Sequence, residues 1–210
     1  MTMTVAPVAA DFSTARRAMI DSQLRVSGVI DEAVLTAMNR VRREDFVPAA
    51  ARGHAYIDRA IPLGDGRALP APLFHGWMLV EAAPTAADKA LVVSCGSGYL
   101  AALLGPLVGS LEVVDAGEVS AGEVSAGGVA AAKNNGGYTL LLIDGAIEEL
   151  PAALAARLAE GGRIVTGLVS RGVTRLAAGR KRGGQLSLLT IAEIGIPVLR
   201  EFSAPKRWSF

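Results

Sequence analysis

The chain has 210 residues, 51% of them hydrophobic, which is enough apolar material for the core of one domain. Its 21 basic and 20 acidic residues nearly balance, which excludes the electrostatic footprint of a nucleic-acid or anionic-membrane binder. Its single cysteine excludes an internal disulfide and suits a reducing compartment. We therefore expect a cytoplasmic protein that binds neither nucleic acid nor membrane.

The first residues lack the basic start and apolar middle of a secretory signal. We expect a flexible tail over 1–10 and a single domain over 11–210, with a helical part at 11–88 and an α/β core at 89–210. No stretch approaches 18 apolar residues without Gly, Pro or charge, so no membrane span is predicted. Two distant histidines and one cysteine have no metal-ligand spacing, so no metal site is predicted either.

The N-terminal part predicts helices and a long loop. Apolar residues at helical spacing predict a helix over 11–27 and a second one that starts after Asp31, a good N-cap residue. Residues 49–72 are rich in Gly and Pro and are interpreted as a loop. A third helix is predicted over 72–87.

From residue 90 onwards, short apolar runs alternate with helical segments. This alternation predicts a doubly wound, mostly parallel sheet with right-handed crossovers. Strands are expected at 91–95, 111–116, 138–146 and 161–169, helices after residue 98 and over 148–158, and further strands around a terminal hairpin at 173–178, 185–191 and 198–202.

The segment 116–137 is short for its place in such a fold. Only 22 residues separate Asp115 from Tyr138, whereas a helix, an edge strand and two loops ordinarily need roughly 30. This predicts that one edge strand is missing or vestigial. The pentapeptide EVSAG occurs twice here, so a tandem duplication in a tolerant surface loop is the alternative.

The chemistry-bearing motif is a glycine-rich turn between a predicted strand and a predicted helix. Glycines there let a ligand approach the backbone, and Asp115, at the end of the next strand, can accept both hydroxyls of a ribose. The spacing of the glycine turn and Asp115 suits S-adenosylmethionine (SAM) and NAD alike. The alternative is a tight turn that binds no ligand. The candidate cofactor-binding residues are Ser94, Gly96, Ser97, Gly98, Tyr99 and Asp115.

Longer segments resemble the protein-L-isoaspartate O-methyltransferase family, and in particular a divergent bacterial branch of it. They are MIDSQLRVSGVIDEAVLTAMNRVRREDFVP, AYIDRAIPLGDGRALPAP, LVVSCGSGYLAALL, LLIDGAIEELP and AARLAEGGRIV. The resemblance implies a Rossmann-like methyltransferase fold, SAM as cofactor, and methylation of the α-carboxylate of isoaspartyl residues in damaged proteins or peptides. It also implies that His75 contacts the cofactor.

The chain departs from the family pattern at the catalytic segment. Where the family has roughly T-I-S-x-P, this sequence has Ala68-Leu69-Pro70-Ala71-Pro72, so Pro70 occupies the position of the active-site serine. No catalytic residue can therefore be assigned. The leading hypothesis is a SAM-dependent isoaspartyl methyltransferase, and the alternative is a degenerate, non-catalytic relative that binds SAM weakly or not at all. An NAD-dependent oxidoreductase is a third hypothesis, which the lack of a Tyr-x-x-x-Lys motif disfavours.

Overall fold

The computed structural model describes residues 11–120 and 137–204 of the chain. The helices within these ranges are α1 Phe12–Met19, α2 Glu32–Arg40, α3 Pro72–Ala82, α4 Tyr99–Leu104, α5 Ala116–Ser120 and α6 Ala152–Arg157. The strands are β1 Ile61–Gly64, β2 Arg67–Leu69, β3 Lys89–Ser94, β4 Ser110–Asp115, β5 Tyr138–Ile147, β6 Leu158–Ser170, β7 Val173–Arg182 and β8 Gln185–Glu193. None of the described helices is long and apolar enough to cross a bilayer.

The N-terminal helices begin where their capping residues predict. The Asp11 carboxylate accepts from the amides of the first turn of α1, and Asp31 does the same for α2. After α1 the chain continues as one turn of π-helix and one of 3₁₀-helix, so the helical stretch ends at Ser27, as predicted. The third helix is shorter than expected, because Ala83 adopts a left-handed conformation and ends α3.

Six strands form one sheet in the order β4-β3-β5-β6-β7-β8. The four strands from β4 to β6 are parallel, and β7 and β8 add antiparallel pairs at the far edge. Strand β3 lies between β4 and β5, so the chain leaves β3 towards one side and later returns to its other side. This reversal creates a switch point at the carboxyl end of β3, where open α/β sheets bind ligands.

Both faces of the sheet are covered, as the doubly wound prediction requires. Alternate residues of β5 face opposite ways, as the period of a strand dictates. Leu140 and Leu142 pack in one cluster with the N-terminal helices and α4, whereas Leu141 and Ile143 pack in another with Leu154 of α6 and with the C-terminal segment. The α/β, Rossmann-like fold is thus confirmed.

The interpretation of 49–72 as a loop was wrong. The segment contains a 3₁₀-helix, Ala49–His54, and an antiparallel hairpin formed by β1 and β2. Asp65 and Gly66 both have positive φ, at 50° and 77°, which is the geometry of a tight hairpin turn. An Asp-Gly pair between short apolar runs is the signal that the sequence reading missed.

Two further elements differ from the sequence prediction. The helix expected over 148–158 is confined to α6, whose N-cap is Pro151, because the Glu148 and Glu149 amides bond instead to the Phe202 carbonyl. The expected strand at 198–202 is a 3₁₀-turn, Arg200–Phe202, after an isolated bridge from Val198 to Ala146. The expected tail at 1–10 and most of the 116–137 segment, for which a missing or vestigial edge strand was predicted, lie outside the described residues.

Candidate functional site

The candidate site lies at the carboxyl edge of the parallel strands. Ser94, the last residue of β3, pairs in register with Asp115, the last residue of β4. The glycine turn that follows β3 and the carboxylate that ends β4 therefore lie side by side. Two parallel neighbouring strands predict that their carboxyl ends lie together, and the pairing of Ser94 with Asp115 shows that they do.

The turn from β3 to α4 owes its shape to two glycines. Gly96 and Gly98 have φ of 97° and 74°, and Gly98 is the N-cap of α4. Two side chains close the turn locally: the Ser94 hydroxyl accepts from the Gly96 amide at 3.0 Å, and the Ser97 hydroxyl accepts from the Tyr99 amide at 3.2 Å. The turn is thus held by its own residues, with its backbone near the surface of a cavity.

Asp115 is engaged by an arginine from the hairpin. Arg67 donates from Nη1 to Asp115 Oδ2 at 2.7 Å and from Nη2 to Oδ1 at 2.8 Å, a bidentate pair. The same guanidinium bonds Glu201, with Nη2 at 2.8 Å and Nε at 3.0 Å from Oε1. The hydrogen bonds from Arg67 hold the pKa of the Asp115 carboxyl below its usual range, so it is ionised at neutral pH.

An open cavity of about 510 Å³ adjoins this pair, within the range usual for small-molecule sites. Its walls come from the hairpin, the glycine turn and the C-terminal segment, namely Leu63, Gly64, Asp65, Arg67, Cys95, Gly96 and Glu201. A second cavity of about 610 Å³ lies next to the segment 68–72 and is lined by Asp58, Arg59, Ala60, Ala68, Ala71, Thr174 and residues 194–197. Strand β2 contributes Arg67 to the first cavity and Ala68 to the second.

Two of the predicted cofactor residues are sealed in the interior. His75, on α3, and Tyr99, on α4, have no solvent-exposed surface, and their rings meet edge to face with centroids 5.3 Å apart. Arg43 is equally buried and lies over the Tyr99 ring, 4.8 Å from its centroid. In this conformation neither predicted side chain reaches the cavity beside Asp115.

A hydrogen-bonded chain connects this interior to the glycine turn. Arg43 Nη1 lies 3.4 Å from His75 Nδ1, and since arginine only donates, Nδ1 accepts. His75 Nε2 therefore carries the proton and donates to Asp144 Oδ1 at 2.8 Å. Burial lowers the pKa of His75, so the ring is neutral.

Cys95 completes the chain on the side of the turn. Its thiol donates to Asp144 Oδ2 at 3.1 Å, and burial raises the pKa of the thiol well above its usual value. A protonated, buried thiol is a packing group rather than a nucleophile. Cys95 also lines the open cavity, so this buried chain ends at the cavity wall.

Pro70, at the position of the family's serine, is tied to the same interior. Its carbonyl accepts a short hydrogen bond from Arg43 Nη2, while Arg43 Nε donates to the Ala55 carbonyl at 2.8 Å. The backbone of this segment is thereby fixed by a buried cation. Pro70 itself is buried and offers no side-chain donor.

The structure thus brings five of the predicted residues, Ser94, Gly96, Ser97, Gly98 and Asp115, to one edge, and places His75 and Tyr99 beneath it. Sequence reasoning missed Arg67, Glu201, Arg43 and Asp144. Asp144 could have been found, because it is a carboxylate inside the largely apolar, buried strand β5. Arg67, Glu201 and Arg43 carry no local signal, since their partners are 12 or more positions away along the chain.

Comparison with known proteins identifies one family of similar sequences. The model of the Protein-L-isoaspartate(D-aspartate) O-methyltransferase family matches residues 14–120. A protein-L-isoaspartate O-methyltransferase of Koribacter versatilis is 33% identical over 199 residues, covering 88% of this chain and 90% of the relative. One from Roseiflexus castenholzii is 31% identical and covers 88% and 91%.

A solved structure shares the fold. It is from Plasmodium falciparum and is described as a protein-L-isoaspartate O-methyltransferase in complex with S-adenosyl-L-homocysteine. Its TM-score to this chain is 0.67 at 17% identity, and the match covers 90% of this chain and 98% of that one. At this level of identity, the likeness concerns the architecture alone.

Proposed function

Because this chain belongs to the protein-L-isoaspartate O-methyltransferase family, we propose that it transfers the methyl group of SAM to the α-carboxylate of isoaspartyl residues in proteins or peptides. The observation that carries the proposal is the register of Ser94 with Asp115, which sets a glycine turn beside a ribose-type carboxylate. The motif alone left SAM and NAD open, and family membership favours SAM.

The residues at this edge fit such a cofactor. A Cβ on Gly96 would lie 3.3 Å from Arg67 Nη1 and 3.9 Å from Asp115 Oδ2, so the lack of a side chain lets a neighbouring group, here the Arg67 guanidinium, lie between the turn and the carboxylate. Ser94, Gly96, Ser97 and Gly98 would hold the amino-acid end of the cofactor, and Asp115 its ribose. His75 and Tyr99, being buried, would support this surface from below.

When bound, the cofactor supplies an electrophilic methyl group on a sulfonium. The substrate nucleophile is already a carboxylate at neutral pH, so the protein needs no general base. Its residues act by alignment and by excluding water. The absence of a hydroxyl at Pro70 removes one orienting hydrogen bond, which costs about 1–3 kcal/mol and slows transfer without abolishing it.

For the peptide substrate we propose the cavity beside residues 68–72. It combines the small side chains of Ala68 and Ala71 with the ionisable side chains of Asp58 and Arg59 and with residues 194–197. The Arg59 guanidinium can pair with the free α-carboxylate of an isoaspartyl residue. We also propose that the protein is cytoplasmic, because a single cysteine is compatible with a reducing compartment.

The test is a methylation assay on an isoaspartyl peptide together with calorimetric titration of SAM. We expect slow turnover that saturates with SAM. Asp115→Ala should weaken SAM binding by about 1–3 kcal/mol, the range for charge-assisted hydrogen bonds.

Asp21→Ala is the matched control, because Asp21 is an exposed carboxylate in the π-helical turn Ile20–Leu24, and its affinity should equal that of the parent chain. If the chain shows neither SAM binding nor turnover, the proposed function is wrong. SAM binding that is unaffected by Asp115→Ala would place the ribose elsewhere.

A further inference from the structure

We propose that Arg67 is an intramolecular competitor of the cofactor ribose: its guanidinium occupies Asp115, and the cofactor binds when that guanidinium transfers wholly to Glu201. This inference rests on the proposed function and deepens it. It makes Arg67 a residue that sets the cofactor affinity of this chain. Three features of the site support this role: both oxygens of Asp115 are bonded to Arg67, the guanidinium fills the space beside them, and Glu201 offers a second acceptor.

Both oxygens of Asp115 are used by the guanidinium. The two bonds, 2.7 and 2.8 Å, run from separate nitrogens to separate oxygens, so Arg67 faces the fork of the carboxylate. A ribose diol would need that same fork for its two hydroxyls. The Gly117 amide also donates to Oδ1 at 2.8 Å, which fixes the carboxylate and prevents it from turning towards a second partner.

The guanidinium also uses the space that glycines leave beside the turn and after β4. A Cβ on Gly117 would lie 2.9 Å from Arg67 Nη2 and 3.1 Å from Asp115 Oδ1, and a Cβ on Gly96 would lie 3.3 Å from Arg67 Nη1. Arginine and nucleoside therefore cannot share this volume. The space that Gly96 and Gly117 leave for a cofactor is thus occupied by the Arg67 side chain.

Glu201 provides the second acceptor. It lies on the turn Arg200–Phe202, lines the cavity, and already accepts from Arg67 Nη2 at 2.8 Å and from Nε at 3.0 Å. A guanidinium that leaves Asp115 thus keeps a charged partner. The side chain of Arg67 is 26% exposed and that of Asp115 34%, so solvent screens the pair and a ligand can displace it.

The competition predicts effects of opposite sign for two variants. Removing the competitor with Arg67→Ala should tighten binding of S-adenosyl-L-homocysteine, used as the probe, by roughly 5- to 10-fold, because the binding-competent fraction rises. Removing the second acceptor with Glu201→Gln should weaken binding of the same probe several-fold, because the displaced guanidinium then has no charged partner. A purely structural role for the ion pair would weaken binding in both variants.

The experiment is isothermal titration of S-adenosyl-L-homocysteine into the full chain and its variants, each shown to be folded by circular dichroism. Arg67→Gln, which keeps a polar side chain but is shorter and carries no charge, replaces Arg67→Ala if the latter does not fold. Arg52→Ala, which removes an exposed arginine that makes no ion pair among the described residues, is the control for the change in net charge. Its affinity should match that of the parent chain.

The outcomes separate this inference from the proposed function. Tighter binding by the Arg67 variants with weaker binding by Glu201→Gln supports the competitor. Equal or weaker binding by the Arg67 variants, when the parent chain binds the probe, overturns the competitor and leaves the proposed function standing. No binding by the parent chain or by any variant overturns both.

Discussion

Two arginine-centred clusters lie at the same end of the sheet and differ in their access to solvent. Arg43 is fully buried with His75, Asp144 and Cys95, whereas Arg67 and Glu201 line an open cavity and Arg67 pairs with the part-exposed Asp115. Both use a guanidinium to connect segments that are distant in sequence. One cluster is closed on every side, and the other opens onto a cavity.

The difference in burial decides what each cluster can do. A buried cation that loses its partners has no water to replace them, so the contacts of Arg43 are fixed and the segments they join are held rigidly. A part-exposed pair is screened and can exchange partners at small cost. The inner cluster thus acts as scaffold for the turn and for the Pro70 backbone, while the outer cluster is where a ligand can compete.

The largest expected effect is on the scaffold. Arg43→Met should lower the free energy of unfolding by about 3–5 kcal/mol, because it strips donors from the buried Ala55 and Pro70 carbonyls and from His75 Nδ1. Urea denaturation measures this loss. Arg52→Met, at an exposed site, should change stability by less than about 0.5 kcal/mol. A loss below about 1 kcal/mol for Arg43→Met would contradict the scaffold role.

The next effect is a pH dependence from His75. The unfolded histidine binds a proton below about pH 6.5, whereas burial lowers the pKa of His75 in the folded chain, so acid favours the unfolded state. Stability should fall by up to about 1.4 kcal/mol per pH unit as the pH drops below 6.5, and His75→Gln should remove this component.

Urea denaturation between pH 5 and 8 tests this dependence, and the chain supplies its own control. It has two histidines, and the other, His54, is exposed. His54→Gln should therefore keep the pH dependence of the parent chain. An identical pH dependence in His75→Gln and the parent chain would mean that the His75 ring is not held neutral.

The smallest effect on stability belongs to the outer cluster. Arg67→Ala should cost less than about 1 kcal/mol at pH 7, because the pair is part-exposed. Since Arg67 lowers the pKa of Asp115 in the folded chain, this contribution is present above the ordinary carboxyl pKa of about 3.9 and is lost as the pH falls through the folded value.

Unfolding curves at pH 7, at pH 3 and in about 1 M salt check this, because salt screens exposed pairs. The difference between Arg67→Ala and the parent chain should shrink in acid and in salt. If the difference in unfolding free energy persists in acid and in salt, Arg67 stabilises the fold through packing, and the outer cluster is then a scaffold like the inner one.

The sequence by itself determined the alternation of strands and helices in the α/β core, the glycine turn and the carboxylate at the end of β4. These are local or periodic features: Asp31 is the N-cap of α2, and the apolar runs of β3 and β5 predict buried strands. The longer matching segments also indicated the family, which the comparisons confirm. The loop reading of 49–72 was wrong because the apolar runs of β1 and β2 are very short and their Asp-Gly turn was overlooked.

Only the tertiary structure decided which side chains meet at the site. Arg67 and Asp115 are 48 positions apart, and Arg67 and Glu201 are 134 apart, so no periodicity or motif connects them. It was likewise packing that buried His75 and Tyr99 beneath the turn, whereas the resemblance had implied that His75 contacts the cofactor. The physical reason is that a motif specifies the local backbone, whereas the burial and charge around it depend on segments that arrive from elsewhere in the chain.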